Sequence, residues 1–579
     1  MSAARQDAQR IDEPESVRRT RRRRVWVIVA LVVIAFLLAV CWVGLRAITV
    51  KDGLIRSQEL IGQIQDGDAD VDTVLPELSQ SAASAGAAAS DPVWWLMEWI
   101  PAAGDNLKGV RLASQSLDAL VNGVALPVMG DEDSTGSITE RLLHATDDQA
   151  QHITELAEGL DSVSKSPFLV SLVRDGVEDV DKVMSAAAPM VSALPTLLGG
   201  EGERNYLLVF QNNAETLALG GSAAAQTLVK VDDGQITIGG QGDSGSYQNG
   251  VAVDVDVPQS ATDLYTSYLV DHINTSMSRP DFPTAAKIMR AWWQRDIADD
   301  EIAGVVSIDP LALSRILKAT GPIELASGEM LAEDNAVSLL LSEVYGRWDS
   351  YEEPELVDGF FADTAAAVFD KIAAGDFNLK DMLWAVTESA SQGSVLVWSD
   401  DEQVTDAIEG AKISGILPTS NANVTTVGIY FNNSNGSKID YFTETATSAT
   451  ATCEANTATF TAAASLTLPL TQRQAEALPR YVQSMTFGAR FRDWIYIYGP
   501  PGTTLSDASF NGDEVSVLHR DIDDLGRPVV AFEAWFDPGD SVDVTASFVG
   551  DDGDYGPLEV RTNPMVHGAK PVVTDGCSG

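Results

Sequence analysis

The run Val25 to Leu45, VWVIVALVVIAFLLAVCWVGL, limits what this chain can become more than any other feature. It carries no charge, and as a helix rising ~1.5 Å per residue it would reach roughly 30 Å, the depth of one hydrocarbon core. Arg18, Arg19, Arg21, Arg22, Arg23 and Arg24 stand immediately before it. Arginines on that flank hold the N-terminus in the cytoplasm and send everything after Leu45 outside. A cleaved signal peptide is the competing reading, but its apolar core is shorter and ends in a small-x-small site. Trp42-Val43-Gly44-Leu45-Arg46 offers no such site, so an uncleaved single-pass transmembrane helix is expected.

The chain of 579 residues has a formal net charge of −46, unevenly spread. Eight of its 38 basic residues and only four of its 84 acidic ones lie in the first 24 positions. The part expected outside is therefore strongly acidic, and it would repel phosphate-rich polymers wherever arginine or metal ions do not meet them locally. Nucleic acid is excluded as a partner on that ground. Of the three cysteines, Cys41 falls within the apolar run, while Cys453 and Cys577 fall where disulfides persist. A Cys453–Cys577 bridge is expected, with two free thiols as the alternative.

Periodicity divides the rest. Residues 1–24 form a basic cytoplasmic tail and 25–45 the membrane helix. Residues 46–200 place apolar residues at helical spacing (Leu107, Val110, Leu117, Leu120; Ile153, Leu156, Leu160), which predicts a helical stalk or bundle. Pro101, Pro127, Pro167, Pro189 and Pro195 mark expected breaks, and SQSAASAGAAASDP (79–92) reads as a loop or frayed helix end. Trp94, Trp95, Met97 and Trp99 either fill a gap between helices or dip into the outer leaflet. From Asn205 strands and helices alternate. YLLVF opens a hairpin region with Asp233-Gly234 in the turn, and IAGVVSI leads into PLALSRILKAT, started by Pro310 and stopped by Gly321. A three-layer α/β domain is expected over 201–415. Over 416–579 short alternating segments separated by NSNGS, PPG, NGD and DPGD predict an antiparallel β-sandwich of immunoglobulin-like size.

Two groups of residues could carry chemistry. Arg279, Asp281, Asp309 and Arg347 form the first: Asp309 ends a buried strand, where α/β folds bind ligands, and two arginines can grip a phosphate. The structural alternative makes Asp309 a helix N-cap and Arg279–Asp281 an ordinary ion pair. The second is Gln211-Asn212-Asn213-Ala214-Glu215, in which Gln211, Asn213 and Glu215 either bind a glycan hydroxyl or a cation, or tie down the turn ahead of Gly220-Gly221. No phosphate loop, nucleophile elbow or His/Cys metal set is present.

Arg204-Asn205-Tyr206-Leu207-Leu208, Gln211 to Glu215, Gly220-Gly221, Arg279-Pro280-Asp281-Phe282-Pro283 and Gly304 to Pro310 together resemble a membrane-anchored domain-of-unknown-function family, number four thousand and twelve, of high-GC Gram-positive bacteria. That family often has Arg two residues after the Glu of its N-N-A-E run, and here Leu217 stands there. Residues 284–324 and Tyr345-Gly346-Arg347 bear a fainter similarity to the LytR–CpsA–Psr proteins, which transfer glycopolymers from a lipid pyrophosphate carrier. The resemblance implies a cell-envelope protein. The expected function is binding of a cell-wall glycopolymer or lipid-linked precursor, without catalysis. The alternatives are a glycopolymer phosphotransferase using Arg279, Arg347 and a divalent cation, or a scaffold for another envelope protein. No cofactor is expected outside the transferase reading.

Overall fold

The computed structural model describes residues 15–66, 71–101, 103–129, 136–375, 377–454, 457–514, 519–551, 553 and 555–577. Most of the expected basic tail therefore lies outside them. The chain forms two compact units, Met1–Asp133 with Ala145–Ser192, and Ser134–His144 with Ala193–Gly579.

The first unit is helical: α1 (Glu15–Asp66), α2 (Val71–Ala89), α3 (Pro92–Met97), α4 (Gly104–Asp118), α5 (Leu126–Met129), and most of α6 (Ile138–Ser164) and α7 (Ser171–Leu197). The backbone of α1 runs unbroken through Val25–Leu45. Among the described residues no helix is long and apolar enough to cross a membrane, but the side chains of residues 25–30, 32, 33 and 36 lie outside the described set.

Two local expectations need correction. The Ala/Ser-rich stretch from residue 79 is helix through Ala89, because alanine is the strongest helix former and these alanines are packed. Ala82, Ala85, Ala88 and Ala89 are buried, and a Cβ on Gly53 of α1 would lie 2.9 Å from the Ser81 carbonyl oxygen. A larger side chain on either helix would force them apart. Pro101 and Pro167 do fall between helices, but Pro127, Pro189 and Pro195 do not break theirs. Ahead of Pro127, residues Ala119–Ala125 form a π-helical turn in which Leu126 N–H reaches back to Val121 O, and this wider turn makes room for the ring. Around the two prolines of α7, buried Ala188, Val191 and Ala193 hold the helix in place.

The second unit starts from a five-stranded mixed sheet: β1 (Arg204–Asn212), β2 (Ser222–Asp232), β3 (Gln235–Asp243), β4 (Gly304–Ile308) and, after the two-stranded β5 (Ile323–Glu324) and β6 (Met330–Leu331), β7 (Val395–Ser399). The order is β3-β2-β1-β4-β7. The β2–β3 turn is at Asp233-Gly234, both with positive φ, as a tight hairpin requires. β1 and β4 are parallel, with Phe210 opposite Ile308. The residues at and just past those two strand ends, Gln211 to Asn213 and Asp309, are thereby brought side by side.

The C-terminal strands make two further sheets. One is β14 (His519–Asp524), β15 (Arg527–Phe536), β11 (Phe491–Tyr498), β8 (Thr425–Asn433) and β17 (Leu558–Thr562), in that order. The other runs β13 (Asp513–Glu514), β12 (Thr504–Phe510), β16 (Ser541–Asp551), β10 (Thr457–Thr467), β9 (Glu444–Glu454), then β18 (His567–Gly568), with β19 (Val572–Gly576) also on β9. The sheets are not wholly antiparallel as expected, since β17 is parallel to β8, and β18 and β19 are parallel to β9. The long return of the last segment brings it alongside these strands in their own direction, which a tight hairpin cannot do.

Ile429, Phe431, Ile495, Ile497 and Phe532 meet Phe460, Val542, Val544 and Phe548 between the two sheets. The opposite face of the first sheet offers Tyr430, Tyr496, Tyr498 and Val529 to the cluster of Phe282, Met289, Trp292, Trp293 and Leu207. Covered on both faces, β8 and β15 read as nearly continuous buried runs rather than alternating ones. One hydrophobic cluster thus joins residues on either side of position 415.

Cys453 and Cys577 are bridged, closing a separation of 124 residues. β19 just before Cys577 exposes Val572 and Val573, so its side chains contribute little burial, and it is held by its ladder with β9, by the Leu558 N–H on Asp575 and by the bridge. By chain entropy alone such a closure is worth about 4–5 kcal/mol. Reduction frees the chain end, so amide exchange in Val572–Gly576 should speed up by more than in the β9–β10 ladder, which loses only the global contribution. Unchanged exchange there on reduction would show that the strand pairs without the bridge.

Candidate functional site

At the paired ends of β1 and β4 every side chain of the Gln211–Glu215 run that can hydrogen-bond has at least one protein partner, although the buried Asn213 Oδ1 has none. Gln211 accepts from Gly221 N–H at 2.6 Å and donates to Ser307. A Cβ on Gly221 would lie 2.1 Å from the Asn212 carbonyl oxygen, so only glycine permits this approach. Asn212 donates to the Tyr345 hydroxyl at 2.7 Å. Asn213 donates to Asp309 at 2.9 Å and to the Pro564 carbonyl at 3.3 Å. Glu215 receives Lys438 Nζ at 2.8 Å, and that buried ammonium sits 4.8 Å from the Tyr345 ring centre and 5.0 Å from that of Tyr481. Leu217, at the position where arginine is frequent in the resembled family, is buried in the main apolar cluster.

Asp309 is the N-cap of the helix Pro310–Thr320, accepting Ala312 N–H at 2.8 Å. Its burial raises its pKa, and the bonds from Ala312 and Asn213 only partly offset that. Arg279 is 5 % exposed. Its Nε and Nη2 grip both oxygens of Asp524 at 3.0 and 2.9 Å, and its Nη1 donates to Asp281. Asp281 in turn caps the helix Phe282–Asp296, and Asp524 also accepts from Ser260 and Tyr498. Arg347 has a separate set of partners, Glu329 at 2.5 and 2.8 Å and Glu343 at 3.6 Å, in a far more open setting. The four residues read as a first group thus divide: Asp309 joins Asn213, while Arg279 with Asp281, and Arg347, are each satisfied by carboxylates elsewhere. Among the described residues no three His, Cys, Asp or Glu side chains gather as metal ligands.

A cleft of 460 Å³ opens beside this hub. Leu219 and Pro564–Met565 form its wall on the hub side, and the helix Leu379–Ser391 contributes Glu388. Lys412, Arg561 and Lys570 bring positive charge to the rim. Arg561 donates to Glu559 at 3.1 Å and to the Ile416 carbonyl at 2.6 Å, and Lys412 reaches Glu559 at 2.9 Å. Burial opposes ionisation of Glu559, but those two cations outweigh it and hold its carboxyl below the usual value. Lys570 is exposed and has no ion-pair partner among the described residues. Three cations, Lys412, Arg561 and Lys570, face two carboxylates, Glu559 and Glu388, so the rim keeps one net positive charge in a strongly acidic chain.

Sequence reasoning did not reach Lys438, Asp440, Asp493, Asp524 or the cleft. One of these was readable. In β11 the residues Phe491, Asp493, Ile495 and Ile497 share the inward phase, so Asp493 is an acid at a core position.

No curated protein sequence matches this chain. The X-ray structure of the Lin1025 protein from Listeria innocua is similar over 37 % of this chain and 78 % of its own, at 12 % identity and a TM-score of 0.20, which is too low to carry an argument. The stretch from β1 to Tyr345, residues 201–345, matches the family model described as a protein of unknown function, DUF4012, and this part of the chain is therefore similar to that family.

Proposed function

We propose that the protein is a single-pass envelope protein, N-terminus inside, whose outer part binds an anionic cell-wall glycopolymer or its lipid-linked precursor in the cleft beside Pro564. One observation carries the reading: a cleft large enough for one or two sugar units is rimmed by Lys412, Arg561 and Lys570 in a chain of net charge −46. Long-range repulsion then selects against polyanions in general, and the local cations admit one at a single place. The anchor is supported by Leu31, Ile34, Leu37 and Leu38, which stand exposed along α1 where a water-soluble helix would cover them. A phosphotransferase of the LytR–CpsA–Psr kind needs arginines free to hold pyrophosphate, and Arg279 is already neutralised by two carboxylates. Binding is therefore the better reading.

The full chain in detergent should bind a phosphorylated mannan and ignore the unphosphorylated polymer. Lys570→Glu should weaken binding about fivefold, the effect of roughly 1 kcal/mol at an exposed charge. Equal binding of both mannans, or indifference to Lys570→Glu, would remove the cleft as the site.

A further inference from the structure

The short helix α3 carries large apolar side chains that the fold sorts to two sides. Trp94, 1 % exposed, and Met97 are buried with Val43, Val50, Ala88 and Ala89, and Trp94 Nε1 donates to the Leu107 carbonyl at 2.9 Å. Trp95, Leu96 and, just past the helix, Trp99 stand 55, 62 and 77 % exposed. A cluster that only filled a gap between helices would not leave two indoles in solvent.

The level of α3 along α1 is fixed by one carboxylate. Asp91, the N-cap of α3, accepts Val93 N–H at 2.9 Å, receives Trp42 Nε1 at 3.1 Å, and lies 3.4 Å from Arg46 Nε. Trp42 and Arg46 belong to the turn where the apolar run ends. From Val25 to Trp42 a helix rises roughly 26 Å, close to the thickness of a hydrocarbon core, so α3 is held where that core would give way to headgroups.

We infer that Trp95, Leu96 and Trp99 form a foot that seats in the headgroup layer of the outer leaflet, a second lipid contact beside the anchor. The inference rests on the anchor reading. Lipid is the occupant because α1 itself exposes Leu38, Trp42 and Leu45 in the turns on either side of the Asp91 contact, at the end of the uncharged run. Indole also prefers this layer, with its ring in the apolar boundary and its N–H toward water. The nearby acids do not oppose an anionic leaflet: Asp91 is paired with Arg46, and Glu98 with Arg111 at 2.6 and 3.1 Å.

The test uses the full chain carrying Cys41→Ser, reconstituted in phosphatidylglycerol–phosphatidylethanolamine vesicles, with a nitroxide on Trp95→Cys, on Trp99→Cys or on Leu172→Cys, a highly exposed position of the same unit. Collisions with oxygen should dominate at 95 and 99, within about 5–10 Å of the headgroup boundary. Collisions with an aqueous nickel chelate should dominate at 172. Nickel-dominated relaxation at 95 and 99, in protein that stays in the vesicles through an alkaline wash, would overturn the foot and leave the anchor standing. Probes at 95 and 99 shielded from both reagents would mean that protein covers the patch, which also overturns it. Release of the chain by the wash would bring down the anchor, and the foot with it.

Discussion

Arg279→Leu is expected to cost about 3–5 kcal/mol of folding stability, the usual consequence of stranding a buried charge. Asp524 has no exposure of its own and would lose both strong donors, leaving only Ser260 and Tyr498. Asp281 would lose one partner but keep its place at the helix start through Thr284. The companion Arg347→Ala should cost less than about 1 kcal/mol, because Glu329 and Glu343 are open enough to regain water. Chemical denaturation followed by the fluorescence of buried Trp292 and Trp293 reads both. Adding Asp524→Asn to Arg279→Leu removes the stranded charge and should recover part of the loss. If Arg279→Leu were no more damaging than Arg347→Ala, Arg279 would not be the clamp between the helix Phe282–Asp296 and β14, and its availability to a ligand would have to be reconsidered.

What the sequence revealed and what it hid divide by sequence distance. The hairpin at Asp233-Gly234, the cap at Asp309 and the stop at Gly321 are decided within a few residues, so propensity and turn chemistry suffice to read them. The Gln211–Glu215 run was visible as something unusual, because so many amides after a buried strand must find partners. Its role was not visible. Asn213 is answered by Pro564, Thr216 by Asp440 and Glu215 by Lys438, between 223 and 351 residues away. The same holds for Arg279, whose near neighbour Asp281 suggested a local pair while its main partner, Asp524, lies 245 residues on. The prolines of α7 mislead for the reverse reason: the local rule is sound, and packing around Ala188 and Val191 overrides it.

The acid that phase exposes in β11 has the other large consequence. Asp493 and Asp440 are both fully buried; Asp440 accepts from Thr216 N–H and Asn433 at 2.9 Å each, and neither Asp493 oxygen has an ordinary donor. Two ionised carboxylates cannot satisfy each other, but one proton between them lets one donate to the other. Burial raises the pKa of both, and the charge of Asp440 raises Asp493 further. In the unfolded chain each returns to about 3.9. The folded state therefore keeps a proton that the unfolded state has already released. The stabilisation is full below the unfolded value and is lost as pH rises through the folded one, by about 1.4 kcal/mol per pH unit for each retained proton. Stability is expected to fall as pH rises from about 4 through about 7, the raised value of Asp440, opposite to the effect of carboxyls such as Glu329, which Arg347 holds below the usual value. Asp493→Asn supplies a permanent donor to Asp440, so the variant should lose this component of the slope and overtake the parent at alkaline pH. Parallel pH–stability curves for the two proteins would mean that no proton is held at this pair.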